Sequence, residues 1–328
     1  MKMRMRLALV AALFCAAPIC AGVSAETLKF AHFVAAGHTL TQAIVTPLTQ
    51  AVAPTGLVIE TYPAGKLGAG PADQYVRVVQ GVADIVWGIP GYTSSQFPLT
   101  MLTELPAVQP PGMSGADFLW NGWDAGLLAR EFPATVPLAL WTAEPAVLIV
   151  RGAPVRTPAD LAGRKIRVSS AITARVVETL GAIPVQMPAG DVYNALQTGL
   201  VDGLITGSSA ISDFRFDEVL SHVTVGIPLG NQAFYVVANA KRVGRLPQAE
   251  QAALRAAGGR DLSRRAEAAW NARGQAAIAA LRGRGPDVVT DLTPEGRAAF
   301  DALLLPLTQK MVADLHAQDA LITMRGGQ

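Results

Sequence analysis

An α/β protein of two similar lobes is the fold this sequence predicts, and three observations carry that expectation. Between Thr27 and Trp87 the chain alternates strand, helix, strand, helix, strand, the order of a lobe built on a largely parallel sheet. The same order returns between Thr157 and Asp202. Two short passages also repeat each other, Gln80-Gly81-Val82-Ala83-Asp84-Ile85 and Thr198-Gly199-Leu200-Val201-Asp202-Gly203. Each shows a helix ending at glycine, an apolar pair and an aspartate at a strand start. Their glycines stand 118 residues apart, too far for a solenoid repeat and suited to one copy per lobe.

In chain order, residues 27–33 read as a strand and Thr39 to Ala53 as a helix closed by Pro54 and Gly56. His38, following Gly37, reads as a helix-entry residue. Val58 to Tyr62 is a second strand. A helix through Tyr75, Val76 and Val79 stops at Gly81, where glycine permits the left-handed turn, and Ala83 to Trp87 is a third strand. Thr157-Pro158-Ala159-Asp160 has the hydroxyl, proline and carboxylate of a helix start, and Gly163 ends that short turn. Lys165 to Ser169 is β-rich; a helix from Ile172 to Leu180, an apolar Ile183-Pro184-Val185 and a helix from Asp191 to Thr198 follow. Ala, Gln, Glu and Arg dominate from Pro247 to Arg282, a run that would extend ~54 Å as one helix. Gly258-Gly259 is expected to interrupt it, and a last helix runs from Thr293-Pro294-Glu295 to near Ala317.

Composition restricts the function. A chain of 328 residues with 51% hydrophobic and 16% charged residues is globular and long enough for two domains with a cleft between them. Lys2, Arg4 and Arg6 precede an apolar run from Leu7 to Ile19, and Val23-Ser24-Ala25 has the small residues a signal peptidase reads. That run of 13 residues is shorter than the ~20 of a membrane span. Residues 1–25 are therefore expected to be a secretory signal cut near Ala25, directing the protein to the periplasm. Cleavage removes three basic residues and no acid, so the net charge falls from +2 to −1 and leaves no electrostatic footprint for a nucleic acid. Cys15 and Cys20 leave with it, so the mature chain is expected to have no disulfide and no thiolate site.

Catalytic signatures are absent: the sequence contains no HExxH, GxSxG, GxxxxGK[ST] or GxGxxG, and His32, His38, His222 and His316 are scattered without ligand spacing. No cofactor and no metal are expected. What remains suits holding a ligand. Strand alternation sets Arg167 opposite Ile166 and Val168, where a guanidinium at a lobe mouth grips a carboxylate through two parallel hydrogen bonds. By pattern alone, an arginine in such a strand is more often a surface salt-bridge partner. Trp87, Tyr92 and Trp141 stand near strand ends, where aromatic side chains wall clefts, although core packing explains any one of them equally well. Thr206, Asn231 and Gln232 offer hydrogen bonds at the same rim, a position where turn and cap formers are also common.

Several longer passages carry a family resemblance. They include Tyr62-Pro63-Ala64-Gly65-Lys66-Leu67-Gly68, Gly81-Val82-Ala83-Asp84-Ile85, and Phe97-Pro98-Leu99-Thr100 leading to Glu104-Leu105-Pro106. Further on stand residues 160–168 (DLAGRKIRV) and 191–203 (DVYNALQTGLVDG). In this order the chain resembles the substrate-binding proteins of TRAP transporters, the tripartite ATP-independent periplasmic class whose founding relatives bind C4-dicarboxylates. The resemblance implies a two-lobed periplasmic solute-binding (Venus-flytrap) fold with crossover strands and a long connecting helix. Its expected division is 26–148 plus 236–272 for the first lobe and 149–235 plus 273–328 for the second. It sets Arg167 at the carboxylate-gripping position and Thr206, Phe33 and Ile89 near ligand contacts. Its second arginine is replaced by the apolar Val147 to Val150, and its metal-linked acid by Leu204-Ile205-Thr206-Gly207. The expected ligand is an organic carboxylate with an apolar or aromatic body, handed by a monomeric receptor to the small and large membrane subunits of a transporter. A sensor module for a membrane kinase and, less favoured, an enzyme using the same cleft are the alternatives.

Overall fold

A computed structural model describes residues 26–327; the expected signal, with Cys15 and Cys20, lies outside the described residues. The strands are β1 (Thr27–Ala31), β2 (Val58–Tyr62), β3 (Ile85–Gly88), β4 (Thr135–Thr142), β5 (Ala146–Val150), β6 (Lys165–Val168), β7 (Ile183–Gln186), β8 (Gly203–Gly207), β9 (His222–Val225), β10 (Ala233–Asn239) and β11 (Val289–Asp291). They form one sheet in the order β2-β1-β3-β10-β4 and another in the order β11-β9-β5-β8-β6-β7. In the first, β1 runs parallel to β2 and β3, and β10 is antiparallel to both neighbours. In the second, β6 is parallel to β7 and β8, while β5 is antiparallel to β8 and β9. Each sheet is apolar on both faces: Trp87 and Val86 enter different cores, as do Leu148 and Ile149.

The repeated passages perform the same structural task. Gly81 and Gly199 both have φ of 75°, the left-handed conformation that ends a helix without a Cβ clash. Asp84 then accepts the Lys29 N–H at 2.8 Å and donates its own N–H to the Lys29 carbonyl at 2.9 Å. Asp202 does the same to Lys165, at 2.8 Å and 2.7 Å. In each lobe one carboxylate thus fastens the entry of the neighbouring strand, β1 or β6.

Three connections join the sheets ahead of the C-terminal helices. Residues 143–145 carry β4 into β5, and residues 226–232 carry β9 into β10. The third is the helix Arg260–Arg282, which packs on β4 of the first sheet and on the helix Ser209–Asp213 and β11 of the second. At 23 residues it is about 35 Å long, enough to lie across both lobes. The break expected at Gly258-Gly259 is present, between helices Gln248–Ala257 and Arg260–Arg282. Gly259 has φ of 87°, and a Cβ on Gly258 would meet the Leu138 carbonyl at 2.8 Å. The last helix of the expected second lobe departs from the expected division. Pro294–Asp314 packs on the second-lobe helix Ala171–Thr179, but Gln318–Met324 returns to the first-lobe helix Gly115–Asp124. There Leu321 and Met324 are buried, and the Met324 carbonyl accepts from Asn121.

Candidate functional site

Arg167 is 2% exposed although it is charged, and it borders a cavity between the lobes. β6 is responsible: Ile166 and Val168 enter the core on one face, which turns Arg167 to the other. Its Nε and Nη2 both donate to the Met187 carbonyl, at 3.0 and 2.8 Å, so backbone fixes the plane of the fork. No ion pair among the described residues includes it, unlike the surface salt bridge that the pattern alone favoured. Burial pulls its pKa below the usual arginine value, while Tyr92, Glu104 and Asp191 act in the opposite sense. Tyr92 accepts the Ala189 N–H at 3.0 Å, and burial raises its phenol, so it stays neutral.

Aromatic side chains surround the remaining space. Trp87 is buried and stacks on Phe33 with centroids 4.7 Å apart, and Tyr92 meets Phe33 edge-on at 6.0 Å. Phe234 and Trp270, 5.5 Å apart, add a second wall. Ile89 and Thr206 border the same space, so Arg167, Trp87, Ile89 and Thr206 meet there and Phe33 and Tyr92 support it. The free volume is about 30 Å³, roughly one water. A second space of about 10 Å³ adjoins it, since Thr206 and Gln232 border both, and Glu104, Ser169 and Thr173 contribute to its wall.

Two expected contacts do not reach this cavity. Trp141 is fully buried one layer behind, 5.3 Å from Phe234 and from Trp270, because β4 points it into the core. Asn231 instead joins the crossovers, donating from Nδ2 to the Ala143 carbonyl at 3.2 Å and from its backbone to Thr103 at 2.7 Å. It borders a separate, open groove of about 640 Å³ beneath the long helix. The groove's two arginines, Arg282 and Arg297, are each paired with an aspartate, Asp291 and Asp301, and it has no aromatic wall, so the buried guanidinium without an ion pair lies in the small cavity.

Sequence reasoning missed several residues that the fold brings in. His38 does accept the Leu40 N–H at helix entry, at 3.1 Å, but it also faces the cavity. Its Nε2 lies 3.5 Å from Asp213, and burial lowers its pKa. Asp213, with its side chain 2% exposed, also accepts from Thr39 Oγ1 at 2.8 Å and from Arg273 Nε at 3.2 Å. First lobe, second lobe and long helix are thereby tied together beside the cavity. Glu104, in a turn spanning Thr100–Glu104, accepts from Ser170 Oγ across the lobes. Among the described residues no group of three or more His, Cys, Asp or Glu could hold a metal, and no helix is long and apolar enough to cross a membrane.

Comparison with known proteins gives the family and the fold. The profile of the family described as bacterial extracellular solute-binding protein, family 7, matches residues 30–315. A C4-dicarboxylate-binding periplasmic protein, DctP, of Rhodobacter capsulatus is 31% identical over 172 residues, covering 50% of this chain and 49% of that protein, so the match spans about half the relative's length. A TRAP solute binding protein from Rhodoferax ferrireducens, solved with copurified benzoate, is 26% identical with a TM-score of 0.82, covering 92% of this chain and 96% of that one. A marine metagenome TRAP solute binding protein, in complex with 3-hydroxybenzoate, superposes with a TM-score of 0.84 at 24% identity, over 92% and 98% of the two chains.

Proposed function

The chain belongs to bacterial extracellular solute-binding protein family 7, and from that membership we propose a periplasmic receptor that traps an aromatic monocarboxylate between its lobes for a TRAP transporter. One observation carries the ligand class: a buried guanidinium without an ion-pair partner among the described residues faces a cavity walled by Trp87, Phe234 and Trp270. A carboxylate supplies the missing charge, and a ring packs against the aromatic faces. The benzoate held by the Rhodoferax relative is a ligand of the same kind. Because the closed space admits about one water, entry requires the lobes to part, and closure then strengthens the ion pair by excluding solvent.

In this reading Arg167 grips the anion, Trp87, Ile89 and Phe33 form the apolar wall, Tyr92 sits beside the guanidinium, and Thr206 offers a hydroxyl. The lobes divide as 26–148 plus 236–272 and 149–235 plus 273–328, with Gln318–Met324 reassigned to the first. Residues 1–25 are removed near Ala25, the mature receptor is a monomer, and the closed form docks on the small and large membrane subunits. The ligand leaves chemically unchanged.

A thermal-shift screen of benzoate, 3-hydroxybenzoate, mandelate, succinate and galacturonate tests the ligand class, since a ligand that binds the folded form raises Tm by mass action. Aromatic monocarboxylates should give the largest shifts. Succinate or galacturonate exceeding them would overturn the aromatic assignment.

A further inference from the structure

Glu104 is a buried acid that the capture of a carboxylate leaves unexplained. It is 2% exposed; one carboxyl oxygen accepts from Ser170 Oγ, and the other, Oε1, is buried without a hydrogen-bond partner. Ser170 caps the helix Ala171–Thr179, three residues beyond Arg167 on the second lobe, whereas Glu104 belongs to the first. Their bond therefore crosses from one lobe to the other. Glu104 borders the small space that adjoins the Arg167 cavity through Thr206 and Gln232. The Arg167 charge reaches it, and each acts on the other's ionisation.

Among the described residues, Arg167 is the one guanidinium that borders either space. If a ligand carboxylate pairs with Arg167 while Glu104 stays ionised, the closed lobes hold one uncompensated buried negative charge, which is strongly unfavourable. We propose that Glu104 takes up one proton from solvent as the lobes close on a carboxylate, so that anion and proton are bound together. This rests on the receptor reading above. The neutral carboxyl still accepts from Ser170 Oγ, and the ligand then owns the Arg167 charge.

Burial raises the Glu104 pKa to about 7, with Ser170, Arg167 and the Ala233 N–H opposing. Burial also raises Glu131 and Glu144, so the comparison with Glu104→Gln is what assigns the proton. Tyr92 and Tyr235 are raised by burial and stay neutral; Arg175 and Glu178 pair with each other at 3.0 Å on the exposed face of their helix. On the Thr100–Glu104 turn itself, Glu131 holds the Thr100 N–H and hydroxyl at 3.0 and 2.6 Å. Asp191 is exposed, His38 and Asp213 border the main cavity and Glu144 the separate open groove, and all are retained when Glu104 alone is changed.

The test uses the full-length mature protein and benzoate as the probe. Calorimetry at about pH 8 in phosphate and in Tris, buffers of different ionisation heat, should report uptake of about one proton per benzoate by wild type and none by Glu104→Gln. Wild-type affinity should weaken about tenfold from about pH 6 to about pH 8, while Glu104→Gln holds one affinity throughout. Equal heats in the two buffers for wild type, or a buffer difference that survives in the variant, would overturn the proposal. A second measurement needs no ligand. A pKa raised on folding costs stability as pH rises through it, so wild-type Tm should fall relative to Glu104→Gln between about pH 5 and about pH 8. Parallel melting profiles would also refute the proton-holding role. Absence of benzoate binding with this melting difference intact would fault the ligand reading and leave Glu104 as the proton holder.

Discussion

Arg167 is held by its neighbours in a way a lysine cannot copy. Two of its nitrogens are spent on the Met187 carbonyl, which fixes the plane of the fork and leaves the rest of the guanidinium for an incoming carboxylate. Arg167→Ala should weaken benzoate binding by about 2 to 5 kcal/mol, the cost of truncating one partner of a buried charge pair. Arg167→Lys should recover little of that loss, because an ammonium lacks the planar fork. Isothermal titration with all three proteins decides the matter, and wild-type affinity in the alanine variant removes Arg167 from the site. Its position on a strand face was legible from the alternation Ile166-Arg167-Val168. Its burial was not, because that depends on Tyr92, Ala189 and Thr206 arriving from other parts of the chain.

Secondary-structure elements were readable where local rules set them. The capping signal at Thr293-Pro294 starts a helix whose Thr293 hydroxyl accepts the Gly296 N–H at 3.1 Å, and the Gly258-Gly259 break falls where the sequence places it. β4 and β10 gave no comparable signal. Both are buried on the two faces along almost their whole length, so neither shows the period-2 alternation that marks a half-exposed strand. The repeated aspartates supply a test at this level. Asp84→Ala and Asp202→Ala should each cost about 1 to 2 kcal/mol by urea denaturation, since each removes a charge-assisted bond to a strand entry, and Asp84→Ala also removes a pair with Arg242 at 3.6 Å. A variant with unchanged stability would show that the two lobes fasten their strands differently.

Across the whole molecule, closure is secured by contacts that no single lobe contains. Asp213 of the second lobe binds Thr39 and His38 of the first and Arg273 of the long helix. Asp213→Ala should leave the encounter rate with benzoate nearly unchanged and speed release about tenfold, on the order expected when a buried carboxylate that bonds Thr39 and the part-exposed Arg273 is removed. Stopped-flow tryptophan fluorescence measures both rates, with Trp87 and Trp270 as reporters in the cavity wall. Identical release rates would exclude the latch. Asn231 and Ala143 illustrate the same distribution of labour, because their bond joins the two crossovers and keeps the hinge in register away from the cavity.

Periodicity, caps and the recurring glycine-aspartate turns were enough to specify two α/β lobes, since those signals act over a few residues and each copy folds around its own sheet. Arg167 could be picked out as the anion-gripping group for a similar reason, with the family resemblance supplying its role. The other walls of the cavity could not. His38, Glu104, Asp213, Phe234 and Trp270 come together only when two crossover connections and a long helix bring the lobes face to face, and contacts between residues so distant in the chain leave no mark on local sequence pattern. Trp141 shows the converse: an aromatic at a promising position was turned into the core by the sheet that carries it.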